Sequence, residues 1–267
     1  MINNIINNKI VVFDLDETLG SFTELGIFWD ALESFYGLNM PDDAFIRLLD
    51  IFSDFLRPDI INILKFIVDK RDKGECKKIM IYTNNNGPES WIKLICDYFD
   101  KKLNTNVFDK IIRAFKIDGK IVEIGRKTHN KTFEDLINCS KIPDNTKIFF
   151  LDDQDHPDME HENVYYIKIK PYNYTLPFDV MAQMYYNKEY NNINKYSNEE
   201  EFINTIVKIT KRYNYEDKYI NEMEIDTIVS KQIINYLKEF FSKKKHKTIK
   251  KKHKRSNKFK TKTLKNK

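Results

Sequence analysis

The sequence predicts an α/β fold built on a parallel sheet with helices on both faces. Short apolar, β-branched runs alternate along the chain with longer segments of helical periodicity, the pattern of repeated strand–helix crossovers. Three of the strand-like runs end abruptly in polar residues, at Asp14/Asp16, Thr83/Asn84 and Asp152/Asp153. In open parallel sheets ligands sit outside the carboxyl ends of the strands, so these groups converge if their strands are neighbours.

The elements follow in order. Lys9–Phe13 reads as a buried parallel strand. Apolar residues at helical spacing predict helices over 27–36 and 43–56. The pattern stops at Leu56-Arg57-Pro58-Asp59, and Pro58 suits the start of a helix over 59–70, where a missing N–H costs nothing. Lys77–Tyr82 is a second strand that enters the polar loop Thr83-Asn84-Asn85-Asn86-Gly87, and Pro88 opens a helix over 89–100. Ile111–Lys116 and Lys120–Ile124 flank Asp118-Gly119, a hairpin signal because both residues tolerate the positive φ of tight turns. Residues 130–138 read as helix, and Lys147–Leu151 and Val164–Ile169 as further strands. Two amphipathic helices follow over 198–212 and 218–241, the second with Ile225, Ile228, Val229, Ile233, Leu237 and Phe240/Phe241 along one side.

With 267 residues and 41% hydrophobic content, the chain suffices for one sizeable domain with appendages. Its 7 Gly and 7 Pro exclude a fibrous or loop-rich class. The net charge of +5 hides a division: residues 243–267 hold 14 Lys and Arg and no acid, which leaves −9 on residues 1–242. The expected organisation is a main domain over 1–215, an amphipathic helix over 216–242, and a basic tail over 243–267 expected to be disordered. Within the tail, Lys250-Lys251-Lys252-His253-Lys254-Arg255 has the composition of a nuclear-localisation signal, or of a patch for nucleic acid or another acidic partner. Cys76, Cys96 and Cys139 are odd in number and widely spaced, which suits a reducing compartment. No run approaches the ~20 apolar residues of a membrane span, and Met1-Ile2-Asn3-Asn4 lacks a basic leader region. The expected setting is soluble and intracellular, without a membrane partner, and the basic cluster offers a route to the nucleus.

The strand-end residues define a chemistry. Asp14 and Asp16 are two apart, so an extended backbone turns both to one face. Close carboxylates repel unless a cation lies between them. With Asp152 and Asp153 they form an all-oxygen set without Cys or His, suited to a hard ion such as Mg²⁺. An aspartate serves as a nucleophile in phosphoryl transfer, and a second carboxylic acid protonates the leaving oxygen. The Thr83 hydroxyl and the N–H groups of the Asn84–Gly87 loop are candidates to hold phosphoryl oxygens. Lys131 and Lys127 are candidates to screen the remaining charge. His129, His156 and His161 have no metal-ligand spacing and read as surface or loop residues; Trp29 and Trp91 read as core or lip residues.

Four segments in this order resemble the motifs of the haloacid dehalogenase superfamily. Asp14-Leu15-Asp16-Glu17-Thr18-Leu19 resembles its D-x-D-x-T motif, and Ile79–Thr83 its apolar strand ending in Thr or Ser. Lys131 suits the third motif, and Phe149-Phe150-Leu151-Asp152-Asp153 resembles the fourth. Within the superfamily the chain looks most like the NLI-interacting-factor-like phosphatases, which include those of the RNA polymerase II C-terminal domain. Leu56-Arg57-Pro58, the insert around Asp118-Gly119 and Asp152–Pro157 carry that narrower likeness. The resemblance spans roughly residues 8–212 and implies a Rossmann-like three-layer α/β/α sandwich with a small β insert near 111–124 and no large cap. It implies Asp14 as nucleophile and metal ligand, and Asp16 as general acid/base that offers its backbone carbonyl to the metal. Thr83, the Asn84 segment and Lys131 would hold phosphate, and Asp153 would bind Mg²⁺, with Asp152 a ligand or a partner of Lys131. The implied function is a Mg²⁺-dependent phosphatase acting on phosphoserine or phosphothreonine in proteins. The alternatives are a nucleotide or nucleic-acid-end phosphatase, or a catalytically inactive scaffold that binds a phosphoprotein. Asp153 in place of Asn, Asn84 in place of Ala, Asp59 in place of Gly, and a long stretch from Gly20 to Leu56 depart from the family pattern.

Overall fold

The computed structural model describes residues 8–37, 40–41, 43–193, 198–215 and 222–242. Seven strands are present among them: β1 (Lys9–Phe13), β2 (Lys78–Tyr82), β3 (Lys110–Ile112), β4 (Lys116–Ile117), β5 (Lys120–Ile121), β6 (Lys147–Asp152) and β7 (Val164–Lys168). Five of them form one parallel sheet in the order β3-β2-β1-β6-β7. The helices are α1 (Phe22–Tyr36), α2 (Ala44–Ile51), α3 (Ile60–Asp72), α4 (Glu89–Leu103), α5 (Phe133–Ser140), α6 (Phe178–Ile193), α7 (Glu199–Thr210) and α8 (Met223–Phe241). They flank the sheet on both faces, as in a Rossmann-like sandwich.

Strand alternation divides the core in two. Val11, Phe13, Ile79, Ile81, Phe149 and Leu151 face a large cluster built with α1–α4 and α6–α8. Ile10, Val12, Met80, Tyr82, Ile148 and Phe150 face a small one, covered by Leu136 and Cys139 of α5 and by Met159. The layers are therefore unequal: among the described α-helices only α5 covers the second face, beside the short 3-10 turn that carries Met159.

Several expectations need correction. The hairpin predicted over 111–124 divides: its first arm contributes β3, the edge strand of the main sheet, and only β4 and β5 pair antiparallel. Asp118 (φ 49°) and Gly119 (φ 77°) form their turn, the two positive φ values that suit strand twist. Helix α1 begins at Phe22 rather than 27. Helix α6 has no counterpart in the sequence reading. Its buried stripe is Met181, Ala182, Tyr185, Tyr186 and Glu189, in which tyrosines and a glutamate stand for the usual aliphatics. On α8 the C-terminal part of the expected face is buried, and its first turns differ. Ile225 and Ile228 are exposed, whereas Asp226, Ser230, Ile233, Leu237, Phe240 and Phe241 are buried. Lys170 donates to Asp226 Oδ1 at 2.9 Å and meets its charge. The expected tail, including Lys250–Arg255, lies outside the described residues, as does the start of the helix predicted over 218–241. No helix among the described residues is long and apolar enough to cross a membrane.

Ile233, Leu237, Phe240 and Phe241 join the same cluster as β1, and Lys9 Nζ donates to the Phe240 carbonyl at 2.6 Å. Replacing Leu237 by Ala is expected to cost about 2–5 kcal/mol, measured as a shift of one cooperative urea transition. A main transition left in place would show that α8 folds apart from the sheet.

Candidate active site

The site forms where β2, β1 and β6 end side by side. The register aligns Phe13 with Ile81 on one side and Leu151 on the other. The next residues therefore come level, and the Asp14 N–H donates to Leu151 O at 2.9 Å. Alternation continues Asp14 and Asp152 onto the face covered by α5. Lys131 enters from that side, one residue before Thr132, whose hydroxyl caps α5 by accepting the Asp135 N–H. The Lys131 ammonium pairs with Asp14 Oδ1 and lies 2.7 Å from Asp152 Oδ2, and all three residues are buried.

Asp152 is engaged at both oxygens. Oδ1 accepts the Gln154 N–H at 2.8 Å, and Oδ2 lies 3.2 Å from His156 Nε2 as well as beside Lys131. Asp153 accepts from the Thr18 hydroxyl at 3.4 Å and from the Gln154 side-chain amide. One carboxylate oxygen from each of Asp14, Asp152 and Asp153 lies within 4.8 Å of the others. Thr83 is buried at the end of β2, and its Oγ1 accepts the Asn85 N–H at 2.9 Å. Asn85 then spans the gap between strands: its Oδ1 accepts from Gly87 N–H and its Nδ2 donates to Asp16 Oδ2, both at 2.8 Å.

Two buried arginines brace the backbone around these groups. Arg57 Nε donates to Thr18 O at 2.6 Å, and its Nη2 donates to Glu17 O at 2.6 Å and Lys170 O at 3.0 Å. It thereby fixes the loop that carries Asp14 and Asp16, in which Glu17 takes a φ of 53°. Gly20 completes that turn, since a Cβ there would sit 2.6 Å from the Phe55 carbonyl oxygen. Arg126 Nη1 donates to Thr83 O at 3.1 Å and Arg113 O at 2.8 Å, while Nη2 donates to His129 O and Asn130 O. It ties the end of β2 to the turn that presents Lys131.

The structure thus brings together Asp14, Asp16, Thr83, Lys131, Asp152 and Asp153. Lys127 is not among them; it is exposed and lies 3.7 Å from Glu134. The Asn84 side chain is exposed, and its neighbour Asn85 turns inward instead. Two of the loop N–H groups expected to face phosphate, those of Asn85 and Gly87, are spent on side chains within the loop. His156, read as a loop residue, faces Asp152. Arg57, from the Leu56-Arg57-Pro58 segment, is a brace for the backbone. The individual roles of Arg126, Asn85 and Glu17 have no spacing signal, since a lone Arg, an Asn in an Asn run and a Glu between acids look like any other.

The carboxyls of this site share one electrostatic situation. Burial pushes Asp14 up to about 7, with Lys131 pulling it down and Asp152 pushing it further up. Burial, then the charges of Asp16, Asp153 and Asp14, push Glu17 up to about 8. Burial raises Asp16 despite the Asn85 hydrogen bond, and burial with the Asp152 charge raises Asp153. Asp152 is the exception: against burial, His156 and Lys131 hold it below the usual range. Lys131, against burial, is held charged by Asp14 and Asp152. The settled ion pair is Lys131 with Asp152, and the other carboxyls compete for protons or a cation.

Comparison of the chain with family models, with curated proteins and with solved structures finds no match.

A folded carboxyl with a raised pKa binds more protons than the unfolded chain, so stability falls as pH rises. Asp14 and Glu17 place that loss between the ordinary carboxylate range and about 7 to 8. Metal-free protein is therefore expected to melt at a lower temperature at about pH 8 than at about pH 5.5. Scanning calorimetry in a chelator checks this; a flat or rising profile would contradict it.

Proposed function

We propose that the chain is a Mg²⁺-dependent phosphatase that hydrolyses a phosphate monoester through an aspartyl-phosphate on Asp14, with phosphoserine or phosphothreonine in proteins as substrate. The observation that carries this reading is the Lys131 ammonium between Asp14 and Asp152, with Thr83 at the end of the adjoining strand. It is the arrangement that the resemblance to haloacid dehalogenase phosphatases leads one to expect.

The donor set fits a hard divalent cation. Asp14 and Asp153 offer carboxylate oxygens close together, the resemblance adds the Asp16 backbone carbonyl, and no thiol or imidazole belongs to the group. Burial first, and then the like charges of the cluster, raise the Asp14, Asp16 and Asp153 carboxyls, and a cation would offset both. Asp152, taken up by Lys131, His156 and Gln154, supports the lysine more than the ion. A bound Mg²⁺ supplies neutralisation of the phosphoryl oxygens.

The residues divide the reaction between them. Lys131 and the Thr83 hydroxyl hold phosphoryl oxygens, which brings phosphorus in line with an Asp14 oxygen. That oxygen attacks, the ester P–O bond breaks, and Asp16 gives its proton to the departing oxygen. Burial favours the protonated form of Asp16 that this step needs, and Asn85 fixes its orientation. Asp16 then takes a proton from the water that cleaves the aspartyl-phosphate, which returns Asp14 and releases phosphate. Arg57 and Arg126 hold the backbone of both loops still.

Purified protein is expected to hydrolyse an aryl phosphate with Mg²⁺ and to stop when the metal is chelated. Asp14→Asn is expected to lower kcat by about 10³-fold or more. Turnover that survives in this variant would remove the mechanism.

A further inference from the structure

A groove of about 220 Å³ runs away from Asp16 between α1 and the start of α4. Asn85, which holds Asp16, lines its inner end. Gly26 and Trp91 form its middle, where a Cβ on residue 26 would come within 3.3 Å of the indole. The indole is fixed from behind by an edge contact with Phe45, ring centroids 5.3 Å apart. Asp30 and Glu33 stand at the outer end, and every ionisable side chain lining the groove is acidic. Burial and then the charge of Asp30 raise the Glu33 carboxyl, against a hydrogen bond with Trp29, and Asp30 Oδ2 accepts the Tyr213 hydroxyl at 3.2 Å.

Helix α1 lines this groove from Phe22 to Glu33, about 16 Å at 1.5 Å per residue. That is the reach of about five extended peptide residues. A small phosphorylated alcohol at Asp14 would not reach Asp30. A nucleic-acid strand would carry a further negative charge into an acidic channel at each nucleotide, without a basic lining to receive it. A Lys or Arg side chain instead gains the carboxylates, beside a wall that the buried Trp91 holds in shape.

We infer that this groove holds the leaving-group side of the substrate and selects peptides with a Lys or Arg about four positions from the phosphorylated residue. The assignment rests on the phosphatase reading above and adds a substrate class to it. Asp30 and Glu33, both exposed, are its specificity-determining residues.

The test uses the full chain with Mg²⁺ and two phosphopeptides that differ only in carrying Lys or Glu at that position. A 3′-phosphorylated oligonucleotide and a neutral aryl phosphate complete the panel. The Lys peptide is expected to have a kcat/KM about five- to tenfold above the Glu peptide, an advantage that shrinks with added salt. In the double variant Asp30→Asn, Glu33→Gln it should fall close to parity through KM, with aryl phosphate turnover unchanged. Equal rates on the two peptides, or faster turnover of the oligonucleotide, would overturn the assignment. So would a double variant that loses aryl phosphate and peptide turnover together. Anisotropy titration of both labelled peptides against Asp14→Asn protein separates the two claims. Charge-selective binding without turnover of any ester by the native protein would remove the phosphatase reading and keep the groove. Turnover without charge selection would do the reverse.

Discussion

A lysine ammonium buried between two aspartates organises this molecule's candidate site. Lys131 reaches Asp14 and Asp152 from the turn before α5, and none of the three is open to solvent. Burying such charges is costly unless each is paired and hydrogen-bonded. The pair of Lys131 with Asp152 meets that condition through their own contact and the Gln154 N–H, with His156 Nε2 3.2 Å from Asp152 Oδ2. Asp14 meets it only in part, which leaves its carboxyl raised. A group so placed is held firmly by one oxygen and remains chemically unsettled, a combination suited to a nucleophile that also helps bind a cation.

The rest of the fold keeps that contact in register. Level pairing of β2, β1 and β6 sets the three strand ends side by side. Arg57 and Arg126 satisfy the irregular backbone that follows two of those ends. Each guanidinium reaches several carbonyls from different loops, which a lysine could not do with the same fixed geometry. The two arginines act alike on opposite sides of the site: one holds the loop of Asp14 and Asp16, the other joins Thr83 to the Lys131 turn. Asn85 connects the two halves by a single amide.

Strand positions were legible from local sequence because a buried parallel strand is a continuous apolar run whose end is marked by its first polar residues. Asp14, Asp16, Thr83 and Asp152/Asp153 all stood at such ends. Helix α6 was not legible, since its buried stripe uses Tyr185, Tyr186 and Glu189 within an Asn-rich stretch, and Glu189 is tolerated there by an ion pair with Arg47. The first turns of α8 were not legible, because Asp226 looks like a solvent residue until Lys170 is seen beside it, whereas Ile233, Leu237 and Phe240/Phe241 point inward as their spacing indicates.

By itself the sequence determined the α/β class, the order of the strands along the chain and the residue types at their ends, all of which depend on near neighbours and on periodicity. Tertiary structure decided which strands are adjacent, which lysine enters the acid cluster, and which asparagine turns inward. It also decided that an acidic groove leads away from Asp16. Those outcomes depend on residues as much as 69 and 117 positions apart meeting at one point, and no local pattern encodes the register that brings Lys131 to Asp14.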